Sequence, residues 1–256
     1  MKNAKKIFEK FGEKVTSPLV KRILEIRYDS VYDFFDIRGK LFKELSELFL
    51  PIELGHYSMA INRNSLIDKN RTLAISVTEK NCVIATESLL EKDIFLDQSK
   101  KLIDYFLNKS SLYDKSKLVR IGVRSAFVHY SPKSFDALTI LVRNKYGNIS
   151  STAESIYNKA NIIDVGIPLR LEKENYFANT SVGAMEKDQF INFIDPQSKL
   201  ISENIPKQGL YAEFDLYVKE GKLDKLLESS NLDNFVTETV EETNLWSEEI
   251  KKLILD

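Results

Sequence analysis

KLVRIGVRSAFVHYS, residues 117–131, sets β-branched and aromatic residues in alternation, the pattern of a strand with one face on a core. A second strand of the same cast, LVKRILEIRY at 19–28, places Leu24 and Ile26 on alternating positions, and Pro18 bars a helix immediately before it. An offset of 97 residues lays LEIR (24–27) on IGVR (121–124) and carries the helical stretch around Leu41–Phe49 onto Leu138–Tyr146. The chain thus reads as α+β, with two pseudo-repeated β-α-β-β-β-α units at residues 1–115 and 116–256. An ancient duplication is the preferred reading. Two such units are expected to share one extended antiparallel sheet covered by helices.

The remaining elements follow from period. IRGKLFKELSELFLP (37–51) has apolar residues at 41, 42, 45, 48 and 49, an amphipathic helix stopped at Pro51. HYSMAIN, RTLAISVTE and NCVIATESL are strand candidates, the last two joined as a hairpin across Glu79-Lys80-Asn81, and Leu96 to Leu112 is a second helix. In the second half a Ser-Pro-Lys-Ser turn leads into FDALTILVRNKY, a helix by its position. IIDVGIPLRLEKE, the segment around DQFINFID, and GLYAEFDLYVKE are expected strands. The chain closes on a helix from about Leu223 to Leu255, with Val236, Val240, Trp246, Ile250, Leu253 and Ile254 as its apolar face.

Composition narrows the function classes. With 37 Lys+Arg against 38 Asp+Glu and a formal charge of −1, the whole surface is not built to hold a polyanion, although a local patch is compatible with it. A single cysteine rules out a disulfide framework. Cys82 in NCVIATE reads as a small buried hydrophobe. No run approaches the ~20 apolar residues of a membrane span, and the start, MKNAKKIFEKFGEKV, lacks a signal-like apolar stretch; the expectation is a cytoplasmic protein with no membrane partner. Charge is nevertheless unevenly spread: residues 1–28 carry eight Lys/Arg and three Glu, while residues 213–256 carry five Lys and twelve Asp/Glu. Lys5, Lys6 and Lys10 at one end and Glu238, Glu241 and Glu242 at the other are candidate partner-binding patches, set against the plainer reading of two solvated faces.

SPLVKRILEIRY near the start, LVRIGVRSAFVHY at mid-chain, and GLYAEFDLYV before a helix ending WSEEIKKLIL together resemble a sporadically distributed prokaryotic family of uncharacterised proteins. The resemblance implies a patchy distribution, as for cargo of mobile or defence loci, and supplies no catalytic residue.

Chemistry-bearing motifs are sparse. His56 and His129 lie in different halves without HExxH or CxxC neighbours, so neither a metal nor another cofactor is expected. His129 alternates with Ser125 and Phe127 and reads as a hydrogen-bonded core histidine. The nine glycines are isolated and form no phosphate-cradling loop, and a nuclease-type acid two residues before a strand lysine fails at Thr78, Leu171 and Tyr217. Arg120 and Arg124 share a strand face with Tyr130, while Arg22 and Lys21 belong to the equivalent first strand, an arrangement that could hold single-stranded nucleic acid. The competing reading pairs Arg27 and Arg124 with carboxylates such as Glu25 or Glu213. The function expected is a non-enzymatic binding or sensor component of a prokaryotic accessory or phage-defence system, acting through protein contacts. The alternatives are nucleic-acid binding on the arginine-bearing face and an enzyme whose residues come from distant positions.

Overall fold

The computed structural model describes residues 18–48, 53–54, 61–62, 64–68, 71–86, 92–108, 110, 117–146, 165–186, 188–189, 208–228 and 231–256. After Pro18 the chain enters β1 (Leu19–Tyr28), α1 (Phe34–Leu48), the short strands β2 (Glu53–Leu54) and β3 (Ile61–Asn62), β4 (Asn64–Asp68), β5 (Arg71–Val77), β6 (Asn81–Thr86) and α2 (Lys92–Asn108). The second half runs β7 (Leu118–Tyr130), α3 (Phe135–Tyr146), β8 (Gly166–Glu172), β9 (Phe177–Glu186), β10 (Gln208–Lys219), α4 (Gly221–Glu228) and α5 (Leu232–Leu255). Eight strands form one antiparallel sheet in the order β4-β5-β6-β1-β7-β10-β9-β8, with β2 and β3 paired separately.

The two halves therefore follow the same strand order outward from the centre: β1, β6, β5, β4 on one side and β7, β10, β9, β8 on the other. β1 and β7 are the central pair, and Glu25, which the 97-residue offset carries onto Gly122, is Gly122's direct partner across that pairing. The β2–β3 pair and α4 have no counterpart in the opposite half among the described residues.

Period-2 alternation sorts the central strands into two faces. Leu24 and Ile26 of β1, Ile121, Val123 and Phe127 of β7, and Leu210, Phe214, Leu216 and Val218 of β10 are all buried beneath the helices. α5 packs on β7 and β10, flanked by α2, which reaches β6, and by α3, which reaches β9. α1 joins this layer by burying Phe34, Leu41 and Leu45 in the same core and by the hydrogen bond that Tyr105 Oη of α2 donates to Glu44 at 2.8 Å. Among the described residues no helix is long and apolar enough to cross a membrane.

Several expectations need correction. The final helical stretch is two helices, α4 and α5, not one from Leu223. Leu253, expected on the apolar face, is 49% exposed, because the buried seam of α5 runs through Thr239, Thr243 and Ser247 and an apolar-only reading skips those positions. The second helix spans Lys92–Asn108, beginning four residues before Leu96, and α1 begins at Phe34. Of the expected DQFINFID strand, Asp188 and Gln189 are helical, and most of the rest lies outside the described residues, as do His56 to Ala60 of HYSMAIN. β9 was not expected: its buried side is made of small residues, Ala178, Val182 and Ala184, which leave no strong periodic signal.

Candidate functional site

The sheet face opposite α2, α3 and α5 is charged along the first half of β7, while further along Ala126 and Val128 of this face are buried and apolar. Alternation puts Glu25 and Arg27 of β1, Arg120, Gly122 and Arg124 of β7, and Tyr211, Glu213, Asp215 and Tyr217 of β10 on this face. Arg120 lies at its centre, 12% exposed, with Nη1 donating to Glu25 at 2.7 Å and Nη2 to Asp215 at 2.5 Å. Asn81 of β6 donates to Glu25 at 3.5 Å and Asn179 of β9 to Asp215 at 3.3 Å. The result is a transverse ladder, Asn81–Glu25–Arg120–Asp215–Asn179, that crosses five adjacent strands.

Gly122 makes the ladder sterically possible. A Cβ there would sit 2.8 Å from Tyr217 Cβ and 3.0 Å from Arg120 Nη2. The bare backbone lets the Arg120 side chain fold along its own strand, with its guanidinium 4.4 Å from the centre of the Tyr217 ring. Tyr217 stacks in turn on Phe177 at 5.7 Å, and Lys222 Nζ covers Phe177 at 4.2 Å.

The two more exposed arginines are also paired. Arg27 Nε contacts Glu25 at 2.9 Å and Arg124 Nη2 contacts Glu213 at 2.5 Å, with about half of each arginine side chain still open to solvent. The hydrogen bond to Glu25 is the largest influence on Arg27 and holds its guanidinium above its ordinary proton affinity, against the opposing effect of burial. Tyr211 donates to Glu213, and burial first, then that bond, pushes its phenol upward. On this face, carboxylates and guanidinium groups are locked in a pre-formed pattern, presenting fixed donors and acceptors to whatever lies above it.

The structure disperses the other candidate residues. Arg22 is on the opposite, helix-facing side: it alternates with Leu24 and Ile26, so it shares their face and is 5% exposed. Tyr130 shares a face with Arg124 but lies six residues further along β7, about 20 Å away at strand rise, so the ring beside the arginines is Tyr217 instead. Glu241 pairs with Lys92 at 3.2 Å, and Glu242 takes both Lys173 and Tyr176, so these two acids tie α5 to α2 and to the β8–β9 turn; Glu238 is exposed. Lys5, Lys6 and Lys10 lie outside the described residues, as does His56. Glu25, Asp215, Tyr217 and Asn179 went unselected as site residues, although Tyr211, Glu213, Asp215 and Tyr217 fall on alternate positions of YAEFDLY, a readable one-face pattern.

Cys82 is fully buried, which pushes its thiol up to about 12. His129 is 2% exposed, with Nε2 2.6 Å from Ser247 Oγ, and burial lowers it from 6.5 to about 4 against a smaller opposing effect of Glu248. The folded protein thus keeps His129 neutral while the unfolded chain takes up a proton below about pH 6.5. Stability is full above 6.5 and is lost as pH falls from 6.5 towards 4, by about 3 kcal/mol from this residue. Denaturant melts across that range should show the loss, and His129→Gln should flatten it; equal slopes in the two proteins would show that other groups govern acid sensitivity. Among the described residues no group of three or more His, Cys, Asp or Glu is placed to hold a metal ion.

No family model matches the chain, and no curated protein matches it.

Proposed function

We propose that the protein is a non-enzymatic binding component that meets a protein partner through the side of its sheet opposite α2, α3 and α5. One observation carries this reading: Arg27, Arg120 and Arg124 are each already paired with a carboxylate of the same face. A polyanion would have to displace Glu25, Glu213 and Asp215, and their negative charge repels phosphate. A protein surface with its own mixed charges can instead extend the existing pairs, and such patterns favour one partner over others. The likeness of its strands to the sporadically distributed prokaryotic family supports a role in an accessory or phage-defence system, in the cytoplasm.

Arg27→Glu and Arg124→Glu test the reading, because both side chains are half-exposed and their loss is expected to change stability by no more than about 1 kcal/mol. In size-exclusion and affinity capture from the source cells, a partner held by the native protein should be lost, or weakened about tenfold or more, in the Arg124→Glu protein with an unchanged melt. Retention of the same partner by both variants overturns the proposal. A gel shift on single-stranded nucleic acid that weakens steeply with salt and vanishes in Arg124→Glu would establish the nucleic-acid alternative in its place.

A further inference from the structure

Arg22 lies on the other side of the sheet, in a row of polar residues that crosses three strands beneath α5. Its register partners are Thr86 on β6 and Ser125 on β7. All three are buried, with Arg22 5% exposed, Thr86 2% and Ser125 0%, and Arg22 is the charged residue among the buried polar side chains of this layer. α5 closes over the row with Thr243, whose hydroxyl is 3.1 Å from Ser125 Oγ, and with Asn244, whose Oδ1 accepts from Arg22 Nη2 at 2.9 Å. The Phe127 ring flanks the guanidinium, its centre 6.0 Å from Cζ.

The polar inventory of Arg22 is incomplete. Its hydrogen-bond partner is a neutral amide, and its Nε is buried without an acceptor. Among the described residues no carboxylate pairs with it, whereas Arg120 and Arg124 on the opposite face each have one. A guanidinium keeps its proton at any ordinary pH, so the site holds a positive charge. An uncompensated cation in a protein interior costs several kcal/mol, and a Met or Leu at this position would fill the same space without that penalty.

We infer that Arg22 and Asn244 form a receptor for a small oxyanion, a carboxylate or a phosphate, seated between β1 and α5. The unpaired Nε–H is one arm of the Nε/Nη2 fork that binds two oxygens of such a group side by side, and the bond from Nη2 to the Asn244 amide fixes the guanidinium in place. The buried row also excludes water, which strengthens the pairing relative to a surface arginine. This site is separate from the ladder and does not depend on the contact reading.

Thermal melts of the full chain at fixed pH and ionic strength test it, with chloride replaced stepwise by inorganic phosphate in one series and by acetate in the other. The native protein is expected to gain melting temperature saturably in at least one series, by about 3–5 °C at ten times the dissociation constant. The series that responds tells phosphate from carboxylate. Arg22→Met should abolish the gain, and Asn244→Ala should shift the saturation curve to about tenfold higher anion. No gain over the chloride control, or an equal gain in Arg22→Met, overturns the site. If Arg22→Met does not fold, Asn244→Ala carries the test, and an unchanged saturation curve in that protein overturns it.

Discussion

A chain ending before Leu232, lacking α5, is expected to partition into the insoluble fraction and to show no cooperative melt. Leu232, Phe235, Val236, Val240 and Ile254 are all buried at 6% exposure or less, and Trp246 packs edge-on against Phe214 at 5.6 Å. At roughly 1.5–3 kcal/mol for each large apolar side chain withdrawn from water, the helix contributes on the order of 10 kcal/mol. Whole domains are stable by about 5–15 kcal/mol, so nothing is left over to hold the remainder. The loss is compounded on the sheet, where Val123, Phe127 and Phe214 are uncovered while Ser125, His129 and Arg22 lose Thr243, Ser247 and Asn244. Soluble yield and a denaturant melt of the truncated chain measure this directly. A soluble truncation with a sharp transition would make α5 an accessory arm instead of the central helix of the layer.

The parts of this fold legible in the sequence are those where one face is apolar and the other charged. LVKRILEIRY and the LVRIGVR half of LVRIGVRSAFVHY show that contrast because they occupy the centre of the sheet, with a packed core on one side and the ion-pair ladder on the other, whereas Ala126 and Val128 further along β7 are buried on the ladder's face as well. β9 shows it only weakly: Thr180 interrupts the buried row of Ala178, Val182 and Ala184, whose small side chains contrast little with Asn179, Ser181 and Gly183 on the other face. In α5 the seam contains two threonines and a serine, which bond to the backbone or to β7, so apolar residues alone mark Val236, Val240, Trp246, Ile250 and Ile254 rightly, miss the polar members of the seam and add the exposed Leu253. The site was half readable. Parity alone separates Arg22, on the side of Leu24 and Ile26, from Glu25 and Arg27, and the same count groups Tyr211, Glu213, Asp215 and Tyr217. What parity cannot provide is strand order: Arg120 is 95 positions from both Glu25 and Asp215, and only the placement of β7 between β1 and β10 brings the two carboxylates to one guanidinium.

Gly122→Ala should destabilise the protein by about 2–4 kcal/mol, an unusually large effect for one methyl group. The new Cβ would meet Tyr217 Cβ at 2.8 Å, an atom fixed by the backbone of β10, and Arg120 Nη2 at 3.0 Å. Tyr217 cannot move without opening the β7–β10 pairing, where it is the direct partner of Gly122, so the arginine must give way. Its displacement breaks the contacts to Glu25 and Asp215 together and leaves two carboxylates, each about 20% exposed, with weaker partners. Two further variants separate this mechanism from a general intolerance of alanine. Gly39→Ala, in α1 with nothing within 4 Å of the new Cβ, should stabilise by about 0.5–1 kcal/mol. In an Arg120→Ala background the side chain that Gly122 accommodates is gone, so the second substitution should cost at least about 1 kcal/mol less than it does alone. Denaturant melts of the four proteins of that cycle provide the numbers. Full additivity would show that Gly122 answers only to Tyr217, and a native-like melt for Gly122→Ala would mean that the ladder is not held by close packing against the strand.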